Sequence, residues 1–147
     1  MQIPDTLHPF EKPTLIVVTD SVQAKLWRAD GRTLEGPEQI DAQTGLEQDT
    51  EHVSGQSPGG AHFAENRDQA SRDSREHLYH ALSKTLMDRL HKKEFEVLVF
   101  TVPEEHENEL KETLHVDLLK RALTFVPKHL TNDDPLDIVA HVQEAIG

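Results

Sequence analysis

The chain has 147 residues, of which 35% are hydrophobic, and its formal net charge is −12. This length is typical of one domain with its own core, and the acidic balance argues against a general nucleic-acid binder. The absence of cysteine excludes disulfides, thiol nucleophiles and cysteine metal sites. No apolar run approaches the roughly 20 residues of a membrane span. The first residues lack a secretory-signal pattern, so we expect a cytoplasmic protein.

The first third of the chain predicts an extended arm followed by three strands. Residues 1–13 contain three prolines and are expected to form the arm. Residues 14–19 are a continuous apolar, β-branched run that predicts a buried strand. Residues 24–28 alternate and predict a half-buried strand. A third strand is expected within residues 32–40, where Pro37 indicates a sheet edge or a bulge.

The middle of the chain predicts a long flexible loop and then a long helix. Residues 41–65 show no periodicity and are rich in polar residues and glycine. Loops of that length in a compact domain are usually functional or disordered. A helix is expected over residues 66–93, where apolar residues recur at helical spacing. These residues are Leu78, Ala81, Leu82, Thr85, Leu86 and Leu90.

The last third predicts strands alternating with helices. Residues 95–102 read as a second buried strand, followed by a helix within residues 104–119. A short strand is expected near residues 123–126. The final helix is expected to begin with Asp134 as N-cap and Pro135 at its first position.

This order of elements predicts a single α/β domain over residues 14–147. The first three strands suit an antiparallel meander. The long helix is a crossover that sets the strand at 95–102 parallel to the strand at 14–19. We therefore expect a mixed sheet with crossover helices.

Three segments of the chain resemble the bacterial host attachment protein family. Residues 15–27 look like its opening strand and turn, and the strand 95–102, ended by Pro103, is similar to its middle strand. Residues 118–125, followed by Lys128-His129-Leu130-Thr131, resemble its closing segment. The chain departs from the family at residues 104–108, where a more apolar, glycine-containing helix start is usual. It also departs at His129, where an acidic residue is commoner.

That family is in turn similar to the middle domain of archaeal and eukaryotic peptide-chain release factors and of Pelota. The resemblance implies a ribonuclease H-like layout in which a Gly-Gly-Gln loop precedes a long helix. Here Gly59-Gly60 occupies the analogous place, but Ala61 stands where the glutamine would be needed. This departure argues against peptidyl-tRNA hydrolysis and leaves a non-catalytic contact with the ribosome or structured RNA.

The predicted contact surface combines the glycine loop with the start of the long helix. Its residues are Gly59, Gly60, Ala61, His62, Arg67, Arg72 and Arg75. The segment 66–93 has seven basic and four acidic residues, so it carries +3 and the remainder −15. Two alternatives stay open. The glycines could form a plain loop tip, and the arginines could pair along the helix with Asp68, Asp73 and Glu76 instead of binding phosphates.

Other chemistry finds less support in the sequence. Asp73, His77, His80, Lys84 and His91 fall on one helix face, but His-x-x-His without a third fixed ligand is poor evidence for zinc, so we expect no metal and no cofactor.

A nuclease of ribonuclease H type would need several convergent carboxylates. Asp20, Glu104 and Glu105 follow predicted strands, although nothing in the sequence brings them together. A hydrogen-bonded turn is the expected place of Asp20. No Ser/His/Asp constellation, phosphate loop or dinucleotide fingerprint is evident.

We therefore expect a non-enzymatic cytoplasmic module that contacts the ribosome or structured RNA. The alternative is a host- or surface-attachment factor that acts through protein partners, following the family's name, which describes a phenotype and implies no chemistry. A metal-dependent nuclease is a third hypothesis. The acidic surface and small size permit either a monomer or a homodimer.

Overall fold

The computed structural model describes residues 1–41 and 64–147, with the backbone alone described over residues 64–71. Its strands are β1 (Phe10–Thr19), β2 (Gln23–Gly31), β3 (Thr33–Asp41), β4 (Val97–Thr101) and β5 (Ala122–Val126). Its α-helices are α1 (Ala64–His91), α2 (Glu107–Thr113), α3 (Val116–Arg121) and α4 (Pro135–Ile146). A 3-10 turn over Glu104–His106 precedes α2.

The five strands form one mixed sheet in the order β3-β2-β1-β4-β5. β1, β2 and β3 pair antiparallel, whereas β4 lies parallel to β1 and β5 lies parallel to β4. The predicted meander and the parallel crossover between the two buried strands are confirmed. Three parallel strands thus end at one edge of the sheet, and the loops that follow them meet there.

Both faces of the sheet are covered, which explains the continuous apolar run in β1. Leu15 and Val17 belong to a core cluster that includes α1, α2 and α3. Ile16 and Val18 point to the other face and pack in a cluster with α4. Because successive side chains of a strand point to opposite faces, a strand between two helical layers is apolar at every position.

The predicted boundary between arm and domain shifts towards the N-terminus. β1 begins at Phe10 rather than at residue 14, and Phe10 and Ile3 are both buried. Gln2 bridges Thr33 at the start of β3. The segment before β1 therefore packs on the sheet, because its few apolar side chains complete the α4-side core.

Pro37 lies on an edge strand, as expected. β3 ends the sheet on one side, and the register of its pairing with β2 shifts opposite Trp27, between Leu26 and Arg28. Gly36 has a φ of +127°, and a Cβ built there would lie 2.7 Å from the Leu26 carbonyl oxygen. Only glycine fits a backbone with that φ and that close approach.

The crossover helix α1 spans Ala64–His91, close to the predicted residues 66–93. Four members of the predicted stripe are fully or almost fully buried, namely Leu78, Ala81, Leu82 and Leu86. Lys93 adopts a φ of +59° just beyond the end of the helix. Of the predicted loop 41–65, Asp41 ends β3, residues 64 and 65 begin α1, and residues 42–63 lie outside the described part of the chain.

The single helix expected within residues 104–119 is instead divided into the 3-10 turn, α2 and α3. Leu114 is extended after α2, and the Nδ1 atom of His115 accepts a hydrogen bond from the Asp117 N–H at 3.0 Å, which caps α3. α4 begins with Asp134 at the N-cap position and Pro135 at the first turn, as expected. The Asp134 side chain, however, makes no capping hydrogen bond.

Candidate functional site

The predicted contact residues fall largely outside the described part of the chain. The structure does not describe the four predicted loop residues, Gly59, Gly60, Ala61 and His62. Arg67 belongs to the stretch of α1 described by its backbone alone, and Arg72 is exposed. The Arg75 guanidinium donates a 2.9 Å hydrogen bond to Glu109 on α2, with 14% of its side chain exposed. This partner lies on another helix and is none of the three acidic neighbours considered from the sequence.

An open cleft of about 550 Å³ lies where the parallel strands end. It is built by the turn after β1, the segment after β4 and the loop after β5. Ligand sites of α/β sheets commonly lie outside the carboxyl ends of parallel strands. The lining residues are Asp20, Ser21, Val22, Pro103, Glu104, Glu105, His106, Pro127 and His129.

Asp20 fixes the turn between β1 and β2. Its Oδ1 atom accepts hydrogen bonds from the backbone N–H groups of Val22 at 2.7 Å and Gln23 at 2.8 Å. Its Oδ2 atom accepts the Thr131 hydroxyl at 2.9 Å. Burial alone would raise the pKa of Asp20, but these hydrogen bonds stabilise the carboxylate and leave its pKa below the ordinary value. Asp20 thus occupies the hydrogen-bonded turn expected for it.

The loop after β5 is fastened to this turn through Thr131. Lys25 on β2 donates from Nζ to the Thr131 carbonyl oxygen at 2.9 Å. The Thr131 hydroxyl also lies 3.2 Å from the His129 Nε2 atom. The hydroxyl donates its one proton to Asp20, so it can accept from His129 in the tautomer that carries the proton on Nε2. His129, whose side chain is 59% exposed, is thereby held over the cleft.

Ser21 and His106 meet on the opposite side of the cleft. Ser21 follows Asp20 at the tip of the turn, and its Oγ atom lies 3.3 Å from the His106 Nε2 atom. His106 ends the 3-10 turn, where its N–H donates to the Pro103 carbonyl oxygen at 2.9 Å. Its other ring nitrogen, Nδ1, lies 4.0 Å from Glu109 Oε1.

A polar cluster lies beneath this side of the cleft, between α1 and α2. Glu109 accepts from Arg75 through one oxygen. Its other oxygen, Oε2, and the Tyr79 hydroxyl are both buried without a hydrogen-bond partner among the described residues. Burial is the largest cause that raises the pKa of Tyr79, followed by the negative charge of Glu109. Tyr79 is therefore a neutral hydroxyl facing an acidic neighbour.

The carboxylates considered for a nuclease do share the cleft. Asp20, Glu104 and Glu105 all line it, although Asp20 is engaged by the three donors described above. Within residues 1–41 and 64–147, no three histidine, aspartate or glutamate side chains lie close enough to hold a metal ion together. On the histidine-rich face of α1, His80 is exposed and His77 is half-buried. The nuclease hypothesis stays a prediction.

Several cleft residues were not recognised as partners from the sequence. Asp20, Glu104 and Glu105 were noted one by one, whereas His106 and Thr131 were given no place in a site. The available signal was positional, since these residues lie within a few positions of the ends of parallel strands. The contacts of Ser21 with His106 and of Asp20 with Thr131 join residues that are distant in the chain, so spacing alone could not indicate them.

Comparison with known proteins places the chain in a family. No curated protein matches it. No described helix combines the length and the apolar character needed to cross a membrane. Residues 15–142 match the family described as "Protein required for attachment to host cells". The match covers most of the chain, including the turn at Asp20 and the segment through Thr131, and the chain therefore belongs to this family of host-attachment proteins.

Proposed function

We propose that this protein contributes to attachment to host cells by binding a protein partner at the cleft where the parallel strands end. Membership of the host-attachment family is the observation that carries this proposal. The cleft supports it, because it is open, has carboxylates and histidines among its lining residues and is built by loops held on a rigid sheet. We place the protein in the cytoplasm, so its part in attachment would be indirect.

The charge of the cleft indicates the kind of partner segment that it would accept. Glu104 and Glu105 are exposed on its rim, beside the ionised Asp20. A basic segment of a protein partner would be attracted to these carboxylates, and an acidic one would be repelled. Exposed charges of this kind act mainly on association rate and on the choice of partner.

Attachment of a deletion strain carrying variant genes tests the proposal. Reversing charge with the double substitution Glu104→Lys and Glu105→Lys should reduce attachment to host cells. The matched control is Glu11→Lys with Glu96→Lys, two exposed acids near the opposite edge of the sheet. A deletion strain that attaches normally would refute the role in attachment. If both double variants restored attachment equally, the role of the cleft would be refuted and the role in attachment would not.

A second proposal concerns the ribosome or structured RNA and rests on the likeness to release-factor middle domains. It is supported by the exposure of Arg72 and by the +3 charge of residues 66–93 in an acidic chain. The surface would include Gly59, Gly60 and Arg67. Arg75 is less available for phosphate, because it is bound to Glu109.

Sucrose-gradient sedimentation of cell lysates at low and moderate salt tests this second proposal. Co-migration with ribosomal particles should be lost as salt rises, because binding to phosphates releases counterions. The double variant Arg67→Glu with Arg72→Glu should abolish co-migration. Lys120→Glu with Arg121→Glu, two exposed basic residues on α3 and outside this segment, is the control. Migration at the top of the gradient at both salt concentrations would remove the ribosome as a partner.

A further inference from the structure

Three side chains from separate elements form a row beside the cleft. Ser21 lies in the turn after β1, His106 ends the 3-10 turn and Glu109 lies on α2. Ser21 Oγ is 3.3 Å from one ring nitrogen of His106, and Glu109 Oε1 is 4.0 Å from the other. A hydroxyl, an imidazole and a carboxylate in this order are the groups of a serine nucleophile with its base and the residue that orients the base.

The backbone that carries Ser21 is held in place. The Asp20 carboxylate accepts the N–H groups of Val22 and Gln23, which closes the turn around Ser21. The preceding residue, Thr19, donates from its hydroxyl to the Thr101 carbonyl oxygen at 3.1 Å, which ties the end of β1 to the end of β4. The Ser21 hydroxyl is therefore presented to the cleft from a rigid turn, where a small molecule can reach it.

The Glu109 oxygen beside His106 Nδ1 is Oε1, the oxygen that also accepts the hydrogen bond from Arg75. A carboxylate oxygen has two lone pairs, so Oε1 can accept from Arg75 and from the His106 Nδ1–H group together. The separation of 4.0 Å from His106 Nδ1 is longer than a hydrogen bond, but such contacts are often long in ligand-free sites and shorten when substrate binds.

We propose that Ser21 is an activated nucleophile for acyl transfer, with His106 as its general base and Glu109 as the positioning residue for His106. The substrate class is a small ester without negative charge, because Asp20, Glu104 and Glu105 line the cleft and repel anions. This activity goes beyond host attachment. It also departs from the non-enzymatic function expected from the sequence, in which these three residues are not visibly connected.

The reaction proceeds in two balanced steps. In the first step, His106 Nε2 takes the hydroxyl proton while Ser21 Oγ bonds to the ester carbonyl carbon. The ester C–O bond then breaks, and His106 passes the proton to the leaving alkoxide. Water next attacks the acyl-serine with His106 again as base. The second step releases a carboxylic acid and restores the Ser21 hydroxyl. Glu109 holds the Nδ1–H tautomer, which leaves the lone pair of Nε2 facing Ser21.

Covalent labelling of the full-length protein with diisopropyl fluorophosphate, located by mass spectrometry, is the first test. We expect the label on Ser21, with Ser21→Ala abolishing it and His106→Asn slowing it about a hundredfold. Ser83→Ala and His80→Asn, on α1 and outside the row, serve as matched controls and should label at the parental rate. The rate of p-nitrophenyl acetate hydrolysis should rank the variants in the same order as the labelling rate.

The Glu109→Gln variant tests the positioning role. A purely structural role would change thermal stability without altering the pH dependence of the labelling rate, whereas loss of the negative charge beside His106 should move that profile to lower pH, because the imidazolium loses a stabilising neighbour. Glu109→Asp should restore part of the parental profile. Circular dichroism establishes that each variant is folded. Folded parental protein that leaves Ser21 unlabelled, or a His106→Asn variant that labels at the parental rate, would overturn the proposal.

Discussion

Replacing Asp20 with alanine removes the acceptor around which the β1–β2 turn is built. Three hydrogen bonds are lost, from the N–H groups of Val22 and Gln23 and from the Thr131 hydroxyl. The Val22 bond is exposed, so water replaces it, while the other two are partly buried. At about 1 kcal/mol for each partly buried bond, Asp20→Ala should lower the free energy of unfolding by about 2 kcal/mol. For a domain of this length the melting temperature should fall by about 4–8 °C.

The pH dependence gives this prediction a second, independent part. The folded-state pKa of Asp20 lies below its ordinary value, so its contribution to stability is fully present above the unfolded pKa of about 3.9. That contribution is lost as the pH falls through the folded-state pKa. The difference in melting temperature between the parent and Asp20→Ala, measured by calorimetry, should therefore shrink below about pH 4.

The control is Asp5→Ala, since the Asp5 side chain is fully exposed. It should change the free energy of unfolding by no more than about 0.5 kcal/mol. An Asp20→Ala variant as stable as this control at pH 7 would refute the hydrogen-bond argument. A difference that stays constant down to pH 2 would refute the assignment to the ionised carboxylate.

Three further predictions concern core packing, a backbone glycine and an ion pair between helices. Leu82→Ala, at a fully buried position on α1, should lower the free energy of unfolding by about 2–5 kcal/mol, measured with denaturant. Leu123→Ala, at a 55% exposed position, should lower it far less. Equal losses would contradict the assigned core. Gly36→Ala should destabilise the fold by more than about 1 kcal/mol, because its φ is +127° and a Cβ meets a carbonyl oxygen at 2.7 Å. A double-mutant cycle on Arg75 and Glu109 should give a coupling energy of about 1 kcal/mol, and additive effects would show that their contact contributes nothing.

The sequence determined the elements whose signals are local. The apolar run in β1 is continuous because helices cover both faces of the sheet, and this pattern correctly predicted a buried strand. The helical stripe through Leu82 predicted α1, and Pro37 indicated the sheet edge at β3. In each case the side chains that define the element lie within a few positions of one another, so their spacing contains the information.

Tertiary structure decided where the arm before β1 packs and how the segment after β4 divides. Ile3 has polar neighbours in the sequence, such as Gln2 and Asp5. Only the α4-side core shows why it is buried. The helix expected within residues 104–119 breaks at Leu114, which is buried against the α1 side of the sheet. Burial against distant elements overrides local helical preference in such segments.

The candidate site depended on tertiary structure most of all. Ser21 and His106 are 85 positions apart, and Asp20 and Thr131 are 111 apart. Parallel strand order brings their loops to one edge of the sheet, because each parallel strand ends on the same side. The sequence alone determined that hydroxyl, imidazole and carboxylate groups follow the strands; the contacts that join them exist only because the folded sheet sets those strand ends side by side.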